Sequence, residues 1–231
     1  MHFHVITLFP EMCEPYTNGS MLGRAQVGLK PGKGRIKGKS KMKVSYYNPR
    51  DFATDKHKKT DDRPFGGGPG MVMKAEPLLR AVAKALGKKT VGGKTGAKIF
   101  IMSPRGKMFT QADAKELAKR KDIMLISGRY EGIDARVKKI LKAEEISVGD
   151  YVLTGGELPA LTMIDAIARH IPGVLGTQDS LEEMRVSSGE MYTRPDVLVW
   201  KKKKYAVPEI LKSGNHAALE QWHLGVLRTS K

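Results

Sequence analysis

Three short segments combine glycine with polar residues directly after apolar runs that are typical of buried strands. They are Ser103–Gly106, Gly128–Gly132 and the run from Ser147 to Glu157, in which Gly155 and Gly156 precede a helical pattern. In an open α/β sheet, ligands bind beyond the carboxyl ends of the strands, where glycine lets the backbone approach them closely. The spacing therefore predicts one small-molecule pocket built from three loops.

Three charged residues near these loops have types that could act on a bound molecule. Glu131 could accept hydrogen bonds from the N–H groups of a purine, or it could cap the helix that starts near Ile133. Arg169 ends an apolar helical pattern, where its charge suits the helix dipole, but its guanidinium could also stabilise charge developing on a substrate oxygen. Asp179, taken alone, is typical of a solvated turn. The residues alone leave these alternatives open.

Familiar nucleotide, metal and hydrolase motifs do not occur in the sequence. Gly93-Lys94-Thr95 lacks the earlier glycine of a P-loop, because Lys88 stands at that position, and no G-x-G-x-x-G is present. One cysteine and six scattered histidines predict no cluster of metal ligands. The serine elbow of a hydrolase is missing as well.

The charge balance favours a nucleic-acid partner. The 231 residues include 41 Lys and Arg against 24 Asp and Glu, a net charge of +17, and such a chain is attracted to polyanions. A lysine-rich surface that only confers solubility is the alternative. No apolar run approaches the ~20 residues of a membrane helix, and the single Cys13 allows no intrachain disulfide. We therefore expect a cytoplasmic protein without a membrane partner.

Strand and helix patterns alternate along most of the chain. Strands are predicted at residues 5–9, 44–47, 99–102, 123–126 and 145–148, and helices at 77–86, 110–120, 133–141 and 157–169. This alternation predicts an α/β domain over residues 1–172, with a mostly parallel sheet and helices on both faces. Residues 173–190 have the composition of a mobile linker. Residues 191–231 are predicted to form a small helical domain, with its clearest helix at 217–227 capped by Asn215.

A series of motifs in a fixed order covers nearly the whole chain. They are Asp61–Met71, Ser103–Gly106, Gly128–Asp134, Ile146–Ala160, Ile171–Gly176, Tyr192–Pro195, Val207–Glu209 and Ser213–His216. In this order they resemble the bacterial tRNA (guanine-N1)-methyltransferases of the TrmD type, which belong to the SPOUT class. A whole series is far more specific than any single glycine motif.

The resemblance implies a deep trefoil knot, a homodimer whose active sites draw on both subunits, S-adenosylmethionine as methyl donor, and dependence on Mg²⁺. The implied reaction is methyl transfer to N1 of the guanosine immediately 3′ of a tRNA anticodon. The implied donor-binding residues are Ile101, Met102, Ser103, Pro104, Gly128, Tyr130, Gly132, Ser147, Val148, Gly149, Asp150, Tyr151, Val152, Leu153, Gly155 and Gly156.

The resemblance also implies roles for individual side chains. Asp179 would be the base that removes the N1 proton, and Arg169 would stabilise the charge that spreads to O6. Glu131 would hold the guanine edge. The other implied substrate-binding residues are His57, Asp61, Gly67 and Gly68. The C-terminal domain would bind tRNA.

Three segments depart from the family pattern. The linker between Gly176 and Asp179 is shorter, which makes Glu182 or Glu183 the alternative base. The lysine-rich stretch at 29–43 is longer, and the C-terminal part is shorter, for which the four lysines at 201–204 could compensate. Two other functions stay open: a non-catalytic RNA-binding SPOUT homologue, and a SPOUT methyltransferase acting on rRNA.

Overall fold

Five parallel strands form the central sheet of the computed structural model, which describes residues 1–29, 38–87, 96–175 and 191–223. In chain order the strands of the first compact unit are β1 (His2–Ile6), β2 (Lys43–Tyr47), β3 (Asp61–Asp62), β4 (Val72–Met73), β5 (Lys98–Met108), β6 (Asp122–Ile126) and β7 (Glu144–Ser147). The sheet order is β2-β1-β6-β5-β7, with every pair parallel, while β3 and β4 form a separate antiparallel pair. The predicted mostly parallel sheet is confirmed.

Helices cover both faces of this sheet. They are α1 (Pro10–Asn18), α2 (Ser20–Val27), α3 (Ala75–Leu86), α4 (Gln111–Leu117), α5 (Ala135–Leu141) and α6 (Glu157–Ala168), with a 3-10 turn at Pro49–Phe52. One apolar cluster joins side chains of α2, α4 and α6 to Phe3 and Val5 of β1, and a second joins α3 and α5 to Ile6. Alternate residues of β1 serve opposite faces because successive side chains of a strand point in opposite directions.

The amino-terminal strand ends earlier than the sequence predicted. β1 stops at Ile6, and Phe9, predicted to belong to the strand, is the N-cap of α1. Pro10 occupies the first turn of that helix, where its fixed φ suits the helical backbone and its missing N–H costs nothing. Leu8 and Phe9 are apolar because they pack in or against the core cluster that holds α3 and α5.

The segment Ser103–Gly106 also differs from its prediction as a loop after a short strand. β5 runs on to Met108, with an irregular register between Met102 and Lys107, both of which pair with Ile146 of β7. The glycine in this stretch is required, because a Cβ on Gly106 would lie 2.5 Å from the Glu145 carbonyl carbon. The strand therefore bulges where the sequence showed only turn-forming residues.

The second compact unit spans residues 177–231, after a first unit of residues 1–176. Its described part holds an antiparallel hairpin, β8 (Val197–Trp200) and β9 (Lys203–Ala206), then a 3-10 turn at Glu209–Lys212 and helix α7 (His216–His223). The prediction of a small helical domain did not include this hairpin, whereas its clearest helix overlaps α7. Lys201 and Lys202 have φ of +48° and +62°, the left-handed conformation of a tight hairpin turn.

Two local predictions from capping chemistry are confirmed. Thr110 and Asp113 form a reciprocal capping box at the start of α4. Asn215 Oδ1 accepts a hydrogen bond from the Ala218 N–H (3.2 Å) at the start of α7. Within the described ranges, no helix is both long and apolar enough to cross a bilayer.

Candidate functional site

A cavity of about 710 Å³ lies beyond the carboxyl ends of β6 and β7 and beside the bulged part of β5. Its walls come from the three segments that the sequence singled out, and its volume is typical of a small-molecule site. Of the predicted donor-binding residues, the cavity is lined by Ile101, Met102, Ser103, Pro104, Gly128, Tyr130, Gly132, Ser147, Val148, Gly149, Tyr151, Val152, Leu153, Gly155 and Gly156. Asp150 is not part of the lining.

Glycine lets two of these segments touch through their backbones. The Gly156 N–H donates to the Gly128 carbonyl (2.9 Å). A Cβ on Gly156 would stand 2.6 Å from Ser127 Cα and 2.8 Å from Gly128 N. Any larger residue would therefore separate the end of β6 from the start of α6.

A buried charged network lies directly behind this contact, and sequence reasoning missed it. Glu157 is 2% exposed; its Oε1 accepts from Thr7 Oγ1 (2.8 Å), and its Oε2 forms an ion pair with Arg129 Nε (2.9 Å). The Arg129 guanidinium also lies over the Phe9 ring, 4.6 Å from its centroid, and donates to the Thr154 carbonyl (3.4 Å). The network thus joins the segment after β1 to two walls of the cavity. A carboxylate at the start of an otherwise apolar helix was the available sequence signal.

The loop between β3 and β4 packs against the wall formed by residues 128–132. The Glu131 N–H donates to the Met71 carbonyl (3.0 Å), and the Met73 N–H donates to the Gly132 carbonyl (2.9 Å). Gly70 has φ of +77°, and a Cβ there would lie 2.6 Å from Glu131 Cγ. The structure therefore brings Glu131, which lines the cavity, together with the glycine-rich loop.

The other predicted substrate-binding residues do not line the cavity. Gly67 and Gly68 are exposed at the tip of the loop, with φ of +81° and +118°. Asp61 pairs with Met73 in the β3–β4 ladder. His57 is exposed, and its N–H donates to Asp55 Oδ1 (3.0 Å).

Capping does not account for Glu131. The N-cap of α5 is Asp134, whose side chain accepts from the Arg136 N–H (2.9 Å). The hydrogen-bonded Arg136 side chain lowers the pKa of Asp134. The alternative in which Glu131 caps this helix is wrong, and its carboxylate stays available at the cavity.

Arg169 follows the last residue of α6 and lies on a different hollow, of about 400 Å³. That hollow is lined by Tyr16, Gln111, Leu158, Leu161, Thr162, Asp165, Ala166 and Arg169. Within it the Tyr16 hydroxyl donates to Asp165 Oδ2 (2.6 Å), and this hydrogen bond, with burial, raises the pKa of Tyr16 to about 12. Within one chain Arg169 therefore lines a hollow different from the cavity of about 710 Å³. Asp179 and the alternative bases Glu182 and Glu183 lie outside the described residues.

Two histidines that look scattered in the sequence come together in the sheet. His2, His4 and Asp122 each offer a ligand atom, and these atoms lie within 4.8 Å of one another. The expectation that the histidines join no cluster of potential metal ligands is wrong for this pair. A spacing of two along a strand, which places both rings on one face, was the missed signal.

The comparisons with known proteins agree with the motif series. The family model described as tRNA (Guanine-1)-methyltransferase TrmD matches residues 1–230. A protein of Pasteurella multocida is 48% identical over 224 residues, which are 95% of this chain and 84% of the relative. Proteins of Pseudoalteromonas translucida (47% identity; 95% and 80% covered) and Aeromonas hydrophila (46%; 97% and 84%) are similarly close. All three relatives are named tRNA (guanine-N(1)-)-methyltransferase.

Proposed function

Because the chain belongs to the family of TrmD tRNA (guanine-1)-methyltransferases, we propose that its cavity beside β5, β6 and β7 binds S-adenosylmethionine. The enzyme transfers a methyl group to N1 of a guanosine in tRNA. One observation carries the proposal for the cavity: the residues that the family assigns to the donor, except Asp150, line a single hollow.

The lining suits the chemistry of the donor. Apolar side chains such as Ile101 and Leu153 can cover an adenine ring, while the Ser103 hydroxyl offers a polar contact. A Cβ on Gly128 would lie 3.3 Å from Ile133 Cγ1, so a side chain at this point would press on another residue of the lining. When bound, S-adenosylmethionine supplies an electrophilic methyl group on a sulfonium.

The remaining chemistry falls to side chains of the protein. Guanine N1 carries a proton at neutral pH, so a carboxylate must remove it to expose a better nucleophile. We assign this step to Asp179. The negative charge left on the guanine ring spreads to O6, where the Arg169 guanidinium stabilises it. Glu131 accepts hydrogen bonds from the guanine edge, beside the glycine-rich loop.

A homodimer would bring Arg169 to the donor cavity of the partner. The separation of the two hollows within one chain supports this arrangement, because the reaction needs both. Large exposed apolar side chains on both hollows also support it: Val152 and Leu153 on the first, and Leu158 on the second. We propose that each active site combines Glu131 of one chain with Arg169 of the other.

The path of the chain beyond β7 supports the trefoil knot. β7 pairs with β5, and β5 separates it from β6. The segment 148–156 must therefore cross the end of β5 before Gly156 reaches Gly128. We propose that this crossing belongs to the knot, that residues 173–190 act as a linker and that residues 191–231 bind tRNA. Dependence on Mg²⁺ is proposed without assigned ligands.

Transfer of labelled methyl from S-adenosylmethionine to a tRNA transcript with G after the anticodon tests the reaction and its base. Nucleoside mapping should place the label on N1 of that G. Asp179→Asn should lose the transfer, whereas Glu182→Gln, which alters the next acidic residue along the chain, should keep it. Transfer that survives in Asp179→Asn and disappears in Glu182→Gln would identify Glu182 as the catalytic base instead of Asp179. Donor binding without transfer to any tRNA would favour a non-catalytic RNA-binding protein. Transfer to rRNA alone would favour a SPOUT methyltransferase that acts on rRNA.

Mixing two inactive variants tests the shared active site. Glu131→Ala and Arg169→Ala should each lose activity, yet a mixture that exchanges subunits regains one intact site in each mixed dimer. Random exchange then restores about a quarter of the wild-type rate. If both residues served the same chain's site, every site in the mixture would carry one defect and no activity would return.

A further inference from the structure

The amino end of the sheet gathers three groups that bind metal ions in proteins. His2 and His4 are two residues apart on β1, so their rings lie on the same face. Asp122, the first residue of β6, is the direct neighbour of His2 in the strand pairing. Two imidazoles and a carboxylate therefore meet at the amino end of two neighbouring inner strands.

The distances suit one small ion. The ligand atoms of the three side chains lie within 4.8 Å of one another, and His4 Nε2 is 3.2 Å from Asp122 Oδ1. Two ligands bound to a tetrahedral zinc ion at about 2.0–2.1 Å lie roughly 3.3 Å apart. The His4–Asp122 distance therefore already matches an edge of such a site, and the ligand atom of His2 lies within 4.8 Å of the other two.

Hydroxyl groups of β2 hold the rings from the other side. His2 Nε2 lies 2.9 Å from Ser45 Oγ, and the Tyr47 hydroxyl lies 3.5 Å from His4 Nδ1. The Tyr47 ring also stacks on His4, with centroids 6.0 Å apart. Partners of this kind fix the orientation of metal-binding imidazoles.

Burial and charge set the character of this cluster. The His4 side chain is 4% exposed and Asp122 is 39% exposed, so the cluster is closed on one side and reachable from solvent on the other. Burial lowers the pKa of His2 to about 4 and lowers that of His4. Lys43 and the Met1 ammonium, which also lower the pKa of His2, would weaken the binding of a cation.

We propose that His2, His4 and Asp122 form a binding site for a divalent transition-metal ion of the zinc class. Two imidazoles and one carboxylate supply three ligands, and water on the exposed side completes the tetrahedron. The ion would link the first residue of β6 to β1, in addition to the backbone hydrogen bonds of the strand pair and the His4–Asp122 contact. Because the folded chain holds the three ligands together, binding stabilises the fold by mass action.

The proposed ion lies away from the methyl-transfer site. Asp122 begins β6, whereas the donor cavity starts beyond its last residue, Ile126. The strand separates them by about 13 Å, at roughly 3.3 Å per residue. The role of the ion is therefore structural, and a failure of this proposal would leave the proposed function unaffected.

Titration of the full chain, freed of metal by a chelator and dialysed, tests the site with Zn²⁺ alone. Isothermal titration calorimetry should give one Zn²⁺ per chain, and Zn²⁺ should raise the melting temperature. Co²⁺, titrated separately, should produce the visible absorption bands of a tetrahedral complex. The informative variants are His2→Gln and Asp122→Asn, which change partly exposed side chains and should leave the fold intact. His216→Gln, which alters an exposed histidine of α7, is the matched control.

We expect both site variants to weaken Zn²⁺ binding at least tenfold and to lose the thermal shift, while the control keeps both. Far-ultraviolet circular dichroism of each variant shows that it is folded. Absence of Zn²⁺ binding by the wild type would overturn the proposal and leave His4–Asp122 as a simple hydrogen-bonded pair. Equal binding by wild type and site variants would also overturn it, because the ion would then occupy other ligands.

Discussion

Replacing Glu157 by Gln should destabilise the protein and weaken donor binding, although the two side chains have nearly the same shape. The Gln carbonyl oxygen can still accept from Thr7 Oγ1, but the charge opposite Arg129 is lost. Breaking a fully buried ion pair costs about 3–5 kcal/mol, because the remaining charge is stranded. The Arg129 side chain is 17% exposed, so water relieves part of this cost, and we expect about 2–3 kcal/mol.

Thermal and urea unfolding, followed by circular dichroism in metal-free buffer, measure this effect. A loss of about 2–3 kcal/mol corresponds to a fall of roughly 5–10 °C in melting temperature for a chain of this size. Arg129 lies between Gly128 and Tyr130 of the donor cavity. We therefore also expect about tenfold weaker binding of S-adenosylmethionine in calorimetry, equivalent to ~1.4 kcal/mol.

Glu76→Gln is the matched control. Glu76 and Arg80 form an ion pair of similar length (2.6 Å) on α3, but their side chains are 63% and 49% exposed. This change should cost no more than about 0.5 kcal/mol. Combining Glu157→Gln with Arg129→Met removes the stranded charge, so the double variant should lose less stability than the sum of its parts. Equal effects of Glu157→Gln and Glu76→Gln, or strict additivity in the double variant, would refute the argument from burial.

Three further predictions concern other parts of the chain. Replacing all four lysines at 201–204 by Ala should weaken tRNA binding and make it less dependent on salt. The slope of log affinity against log salt concentration should fall by about 0.9 for each phosphate that the variant no longer neutralises. Unchanged affinity and slope in filter binding at several salt concentrations would count against the hairpin as an RNA-binding element. Gly156→Ala should cost at least about 2 kcal/mol through overpacking and abolish donor binding. The control Gly87→Ala, where a Cβ meets open space at φ of +82°, should cost only about 1 kcal/mol and keep the donor. Burial raises the pKa of Cys13 to about 11, and the charge of Glu157 adds to this effect, so iodoacetamide should label Cys13 only in the unfolded protein. Because the unfolded thiol loses its proton first, stability should fall as pH rises from about 8.5 towards about 11, and Cys13→Ala should flatten this dependence.

Patterns confined to one segment predicted the sheet and its ligand-binding edge well. The apolar runs at residues 99–102, 123–126 and 145–148 all lie in or overlap parallel strands, and the glycines after them line one cavity. The capping box of α4 was predicted equally well, because Thr110 and Asp113 are only three residues apart. Such features depend on neighbours in the sequence, which a single chain records directly.

Features that depend on contacts between distant segments were missed. Thr7, Arg129 and Glu157 meet only after β1, β6 and α6 are in place. The histidine pair gained its third partner, Asp122, from a strand about half the chain away. Helices α1 and α2 were not predicted, since packing on the sheet stabilises short helices of weak amphipathic pattern.

The position of β7 links donor binding to the integrity of the sheet. This strand has four residues, lies at the edge, and pairs only with β5 among the described strands, so it belongs to the part of a sheet that opens most readily. The residues after it form one wall of the donor cavity, and those after β6 form another. A molecule held between these walls would bridge the edge strand to the middle of the sheet and so oppose local unfolding of β7. Under the proposed function this molecule is the methyl donor, which would then act as a removable crosslink, and amide hydrogens of β7 should exchange more slowly in its presence.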